Sequence, residues 1–555
     1  MKSSEESSKS PKEGSGATAT EVSSRSGTSS WPGSHVFSLD LRSLALLRMV
    51  YGFLLFCDTI VRWTDLGAHY SDRGVLTRTQ LFELVWNEHW FSLHLASGSM
   101  HWLNLLFLIQ VLAAVALFVG WRTRLMTFLS WVLLISVHAR NPMVLNGGDI
   151  YLRVILFWML FLPWGHRWSW DISKGQGDHH SWMPRLQGNR IRGVAPMALL
   201  IQVASVYWFA ALPKTDPSWT VTYSATELAL RLDQFVTPLG YFFRDQFSGQ
   251  LALLTFLVIS WEMLGPFLLF FPFDRGQVRT LTILGFMMMH IGFGSLMELG
   301  FFAWIGTSIP VMLLPSWFWD RPCAKIGLWA DARFGSDQSH TENSGWKFPR
   351  EFFFLFLALY CFLWNANNEK ILPNLVFPKN LTWFGHMTRL DQRWNMFSPG
   401  PLTEDGWFVI EGRFKHGVVS DLFQGGKPLV WDKPKDVAHT YKNQRWRKYM
   451  MNLWLAENQK FRGPYGMYLC RKWNRSGRGP AELASFDIIY MLENTNLDGS
   501  ESTPERREIW KHWCFDAPKK IDQLKGMKPR GDAKPALVPL RPMSITPTPM
   551  PKLNQ

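Results

Sequence analysis

The feature that most constrains this chain is a series of apolar runs between residues 44 and 365, too long and too closely spaced to bury one another around a soluble core. In a bilayer only helices and closed barrels satisfy their own backbone groups, and a helix needs about 20 residues to cross. The runs fall near 44–63, 102–120, 125–138, 149–163, 194–212, 251–273, 278–293, 299–314 and 351–365. Several are shorter than a full crossing. Many of the 30 tryptophans flank these runs, as residues that favour the membrane boundary do. The expected fold is mainly α: a polytopic transmembrane helical bundle of about nine spans, followed by a small β-rich extracytoplasmic domain.

Charge fixes the expected topology. The formal net charge is +14, but the basic residues are scattered among short loops, with no zinc finger, basic zipper or RNA-recognition signature. The lipid bilayer, not nucleic acid, is the expected partner. With nine spans and a cytoplasmic N-terminus, the basic loops 165–195 and 316–350 and the short DRGQVR turn all fall inside, as the positive-inside rule requires. The long loops after the first and fifth runs then lie outside with the C-terminal third, giving a multi-pass protein of the cell membrane. Insertion is expected to be directed by the first run, since no cleavable signal is read at this end.

Four regions are expected. Residues 1–35, rich in Ser, Gly and Lys, read as a disordered cytoplasmic tail. Residues 36–370 form the transmembrane part. In 371–515 the pattern changes to short β-branched and aromatic runs (GWFVIEGRF, VVSDLF, ASFDIIYML) with helical insertions such as RWRKYMMNLWLAENQ. Residues 516–555 read as a disordered Lys- and Pro-rich tail. The five cysteines show no metal spacing, and Cys470 and Cys514, both in the soluble domain, permit one disulfide. His89, His94, His101, His179 and His180 lack the spacing of the usual metal sites, so no metal is expected.

Candidate site residues begin at YWFAALPKTDPSWTVTY, 207–223, where an apolar run stops at Pro213 and Pro217. Lys214 sits at that helix mouth among Trp208, Trp219 and Tyr223. It reads either as an interfacial anchor whose ammonium reaches water or as a partly desolvated amine able to act as a base. The expected parity puts further polar residues on the same outer side: His138, Arg140 and Asn141 end the third run, Asp149 opens the fourth after Gly147 and Gly148, His290 lies late in the seventh, and Glu298 opens the eighth. Individually these have structural explanations, Asp149 as a helix N-cap and His290 as a packing residue. Glu262, halfway through the sixth run, needs a partner, and Arg48 in the first is the natural candidate. There is no Walker loop, Rossmann fingerprint or GxSxG elbow, so any chemistry rests on Lys, Asp, His and Glu near lipid, which points to a lipophilic ligand.

These segments also carry a resemblance. LRSLALLRMVYG, HYSDRGVLTR, HARNPMVLNGGDIYLRV, YWFAALPKTDPSWTVTYS, WEMLGPFLLFF and MMMHIGFGSLMELGFF, within roughly 38–320, resemble the HTTM family of bacterial membrane proteins, similar to the membrane part of vitamin K-dependent gamma-carboxylase. RWNMFSPGPLTEDGWFVIEG resembles the segment after the last span of bacterial members. The resemblance implies a quinol-dependent, gamma-glutamyl carboxylase-like lyase. A reduced naphthoquinone, O2 and CO2 would be its cofactors, and a glutamate-containing protein or peptide its acceptor. It implies Lys214 as the base toward the quinol and carries a later histidine onto His290. Asp149 stands where the carboxylase has a histidine, and Pro213 where it has the first of two lysines. Lys214, Asp149 and His290 are thus the expected catalytic residues, and His138, Asn141, Trp219 and Glu298 the expected contacts of the cofactor. The shorter C-terminal region leaves propeptide recognition unsupported. The rival expectation is a non-catalytic membrane scaffold or lipid-binding protein.

Overall fold

The computed structural model describes residues 36–175, 185–335, 348–372, 374, 376–475, 481–496, 500 and 502–515. The two expected tails, 1–35 and 516–555, lie outside the described residues.

Among the described residues each of the nine apolar runs falls on a helix: α1 (Leu41–Trp63), α2 (Met100–Val119), α3 (Thr123–Arg140), α4 (Gly147–Met159), α5 (Val194–Ala211), α6 (Ser248–Leu268), α7 (Gln277–Leu296), α8 (Phe301–Ser308, continued by a tight turn Ile309–Leu313) and α9 (Phe348–Asn368). Four of them, α1, α2, α5 and α6, are long and apolar enough to cross a membrane by length and composition. One core runs through the bundle, with Tyr51, Leu152, Trp158, Leu199, Val203 and Phe286 buried in it.

The helix ends show why the runs stop where they do. Asp40 caps α1, accepting from the Arg42 amide at 2.8 Å. Gly120 ends α2 with a left-handed φ of 79°, and a Cβ there would meet the Arg48 guanidinium. This corrects the expected pairing of Arg48 with Glu262. Arg48 donates instead to the carbonyls of Leu117 at 2.7 Å and Phe118 at 2.8 Å, and to those of Trp164 and Trp168. The last carbonyls of a helix lack partners within it and carry the negative end of its dipole, so a buried guanidinium is satisfied there without a carboxylate.

Connections gather at two ends of the bundle. At one, strands β1 (Ser38–Asp40), β2 (Arg185–Gln187) and β3 (Arg190–Arg192) form a small antiparallel sheet. There the Asp171 carboxylate accepts the Arg122 and Thr123 amides, and Trp168 donates to Asp331. At the other end sit the loops after α1, α3, α5 and α7, covered by the C-terminal domain.

That domain is a four-stranded antiparallel sheet, in the order β5 (Val419–Asp421), β4 (Glu404–Phe414), β6 (Leu483–Asn494), β7 (Glu505–Trp513). Its alternating residues divide between two faces. Phe408, Ile410, Phe486, Ile488 and Tyr490 pack on helices α10 (Gln444–Trp454) and α11 (Arg462–Asn474), while Trp407, Val409, Ile489 and Met491 pack on Val437. A disulfide joins Cys470 of α11 to Cys514 beyond β7. Lys442 reaches Asp65 at 2.5 Å, and Arg447 donates to the Gln234 carbonyl at 3.0 Å, so the domain is bonded to the bundle's loops.

Candidate functional site

Pro213 ends α5, and the chain that follows is held from two sides. Asp216 caps the short helix Pro217–Thr220 by accepting the Ser218 amide at 2.8 Å. From beyond α9, Ser398 donates to the Pro213 carbonyl at 2.8 Å. The Asp216 amide donates to the Pro399 carbonyl at 3.2 Å, and the Trp219 indole to that of Phe397 at 3.0 Å. The MFSPG segment thus clasps the loop that carries Lys214, folding over what the sequence presents as an open helix mouth.

The result is a buried lysine. Its side chain is 4% exposed and forms an ion pair with Glu262 of α6, itself 7% exposed. The Lys214 ammonium also lies 4.5 Å from the centre of the Trp219 ring, a favourable cation–π arrangement. Both charges border a cavity of about 100 Å³ whose other walls are largely apolar, among them Val206, Ala210, Val258, Phe293, Phe302 and Met396.

His290 of α7 lies on the same wall. Its Nε2 is 3.3 Å from the Tyr207 hydroxyl, and the Tyr207 ring stacks on Phe286 with centroids 3.8 Å apart. A Cβ at residue 306 would come within 2.5 Å of the imidazole Nδ1, so Gly306 leaves the space the ring occupies. The His290 Nδ1 and the hydroxyl of Tyr151, also on the wall, are buried without a hydrogen-bond partner among the described residues.

The cavity therefore gathers Lys214, Trp219 and His290 from the expected set and leaves out the other four. Asp149 belongs to a separate buried network. Asn146, not Asp149, is the N-cap of α4; Asp149 closes the capping box by accepting the Asn146 amide at 2.8 Å. The Asp149 carboxylate also pairs with Arg62 of α1 and Arg445 of α10, and Asp58 pairs with the same two guanidinium groups. Two carboxylates and two guanidinium groups balance there. The His138 Nε2 lies 3.3 Å from Arg62 in this network. Asn141 accepts the Met143 amide and donates to the His69 carbonyl, which consumes it structurally. Glu298 is engaged through its backbone, with its carbonyl accepting from Arg447.

Sequence reasoning missed Glu262 as the partner of Lys214, and it missed Tyr151, Tyr207 and Thr226 on the cavity wall. A carboxylate inside an apolar run was signal enough for Glu262; nothing local marks the others. No group of three or more His, Cys, Asp or Glu able to hold a metal occurs among the described residues. A buried amine and carboxylate beside polar atoms, in apolar walls, make this cavity the candidate site for a small-molecule ligand.

No curated protein and no solved structure matches the chain. The HTTM domain profile matches residues 38–317, which take in Lys214, Glu262 and His290. That match covers half of the chain and every helix from α1 to α8, and the chain belongs to the HTTM domain family.

Proposed function

We propose that this protein is a nine-span integral membrane enzyme of the gamma-carboxylase type, with Lys214 as its base toward a reduced naphthoquinone. The observation that carries the reading is the Lys214–Glu262 pair, buried on the wall of an apolar cavity beside His290. The geometry sets Lys214 on the cavity wall, where it is placed to take a proton from a ligand hydroxyl, and sets Glu262 beside it to stabilise the ammonium that results.

The Tyr151 hydroxyl and the His290 Nδ1 offer polar atoms to a bound ring's oxygens, and the apolar walls match the ring's apolar character. A reduced naphthoquinone, when bound, supplies with O2 the strong base that takes a proton from a glutamate side chain, to which CO2 then adds.

The same reading places the N-terminus in the cytoplasm and the C-terminal domain outside. The Cys470–Cys514 disulfide supports it, since such bonds persist in oxidising compartments. A second reading is favoured by the ion pair itself: both charges simply hold α5 to α6, in a lipid-binding scaffold.

Oxygen uptake by purified protein given a reduced naphthoquinone decides between them. Lys214→Ala and Lys214→Arg should both abolish uptake, because arginine keeps its proton at any working pH. Full activity in Lys214→Arg, at matched protein level, would overturn the base assignment, and no uptake by the wild type would leave the scaffold.

A further inference from the structure

Away from the cavity, an open groove of about 770 Å³ lies between the loop after α1 and the end of α11. Arg73 comes to it from the loop, and Arg471, Lys472 and Arg475 from the end of α11, with Tyr468 and Asn474 beside them. Among the described residues no carboxylate lines it. The nearby acids are engaged elsewhere, Asp72 with Arg78 at 2.8 Å and Asp65 with Lys442 and Asn443. Among the described residues Arg73, Lys472 and Arg475 form no ion pair, and Arg471 donates only to the Gly74 carbonyl.

Basic residues in the last turn of a helix suit its dipole, which accounts for Arg471 and Lys472. It does not account for Arg73, which belongs to another element and converges on the same space. Cations gathered without a counter-charge repel one another unless an anion lies among them.

The position of the groove identifies the anion. Met100, the first residue of α2, forms part of its wall, and α2 is one of the four helices long and apolar enough to cross a membrane. Leu105, Leu108, Leu112 and Val115 make an exposed apolar stripe along α2 at helical spacing, leading away from the groove. A phosphate among the four cations and an acyl chain along that stripe fit one molecule. We infer that the groove at Arg73, Arg471, Lys472 and Arg475 holds the phosphate headgroup of an anionic membrane phospholipid. This site shares no residue with the cavity at Lys214 and does not depend on the chemistry proposed there.

The test uses the full chain purified in detergent and titrated with phosphatidylglycerol or phosphatidylcholine, with bound lipid counted by native mass spectrometry. Each basic residue near an anionic lipid surface contributes about fivefold to affinity, so Arg73→Glu with Arg475→Glu should weaken phosphatidylglycerol retention by at least about tenfold. Phosphatidylcholine retention should be the same in both proteins. Because both side chains are exposed, the melting temperature should not move. If the reversal variant does not fold, the milder Arg73→Gln with Arg475→Gln gives the same comparison, with loss in the same direction. Equal phosphatidylglycerol retention by the variant and the wild type would overturn the inference. So would displacement of the lipid by a hexaglutamate peptide at lower concentration than by soluble glycerol phosphate, since that outcome assigns the groove to an acidic protein partner.

Discussion

Replacing Glu262 by Gln tests the pairing on which the candidate site is built. The substitution is nearly isosteric but removes the negative charge, leaving the Lys214 ammonium, 4% exposed, without its counter-ion. Removing one partner of a buried pair costs about 3–5 kcal/mol, because the other charge stays stranded in low dielectric. The Trp219 ring, 4.5 Å from the ammonium, is present in both proteins and so does not offset the loss. The expected loss is therefore about 3–5 kcal/mol. Tryptophan fluorescence during unfolding of the detergent-solubilised protein measures it. Lys214→Met combined with Glu262→Leu should recover most of the loss, since no charge is left buried. Arg48→Met combined with Glu262→Gln should instead be additive to within about 0.5 kcal/mol, because those residues share no partner. A Glu262→Gln variant as stable as the wild type would refute the reasoning, as would a Lys214→Met, Glu262→Leu variant that lost the sum of the two single effects.

Asp405, where β4 meets the loop at Asp233 and Gln234, should make stability depend on pH. Burial, reinforced by the charge of Asp233, pushes its carboxyl up from 3.8 to about 7, so the folded chain holds a proton there that the unfolded chain has released. Its contribution is complete below pH 4 and is lost as pH rises from about 4 to about 7; Asp405→Asn should flatten that decline in denaturant titrations across pH, and an unchanged slope would count against it. Reducing the Cys470–Cys514 bond, or replacing both cysteines by serine, should lower the stability of the C-terminal domain by up to about 4 kcal/mol for a separation of 44 residues, read as an earlier denaturant midpoint; no shift would mean the bond adds nothing. Reporter fusions after residues 180 and 400 should report cytoplasm and exterior respectively, and finding both on one side would sink the nine-span topology.

The sequence by itself determined where the helices lie, because the segments that need burial in lipid are continuous along the chain and their ends are marked by proline, glycine and caps. It also marked the β-rich C-terminal domain, where alternation with a period of two replaces long apolar runs. Lys214 was legible from Pro213 and Pro217, and Glu262 from the cost of a carboxylate inside an apolar run. Their pairing was not, since it depends on α6 lying against α5 and on Met396 and Phe397 closing over the loop from nearly 200 residues away. Arg48 shows the same limit: its sequence position announces a charge that must be satisfied, but the satisfying atoms are backbone carbonyls at a helix end, which have no signature of residue type. Asp149 and His138 shared an end of the bundle with Lys214 and looked like one site. Only the tertiary structure assigned them to a different network, because Arg445, brought from the C-terminal domain, neutralises Asp149 together with Arg62 before it can face the cavity.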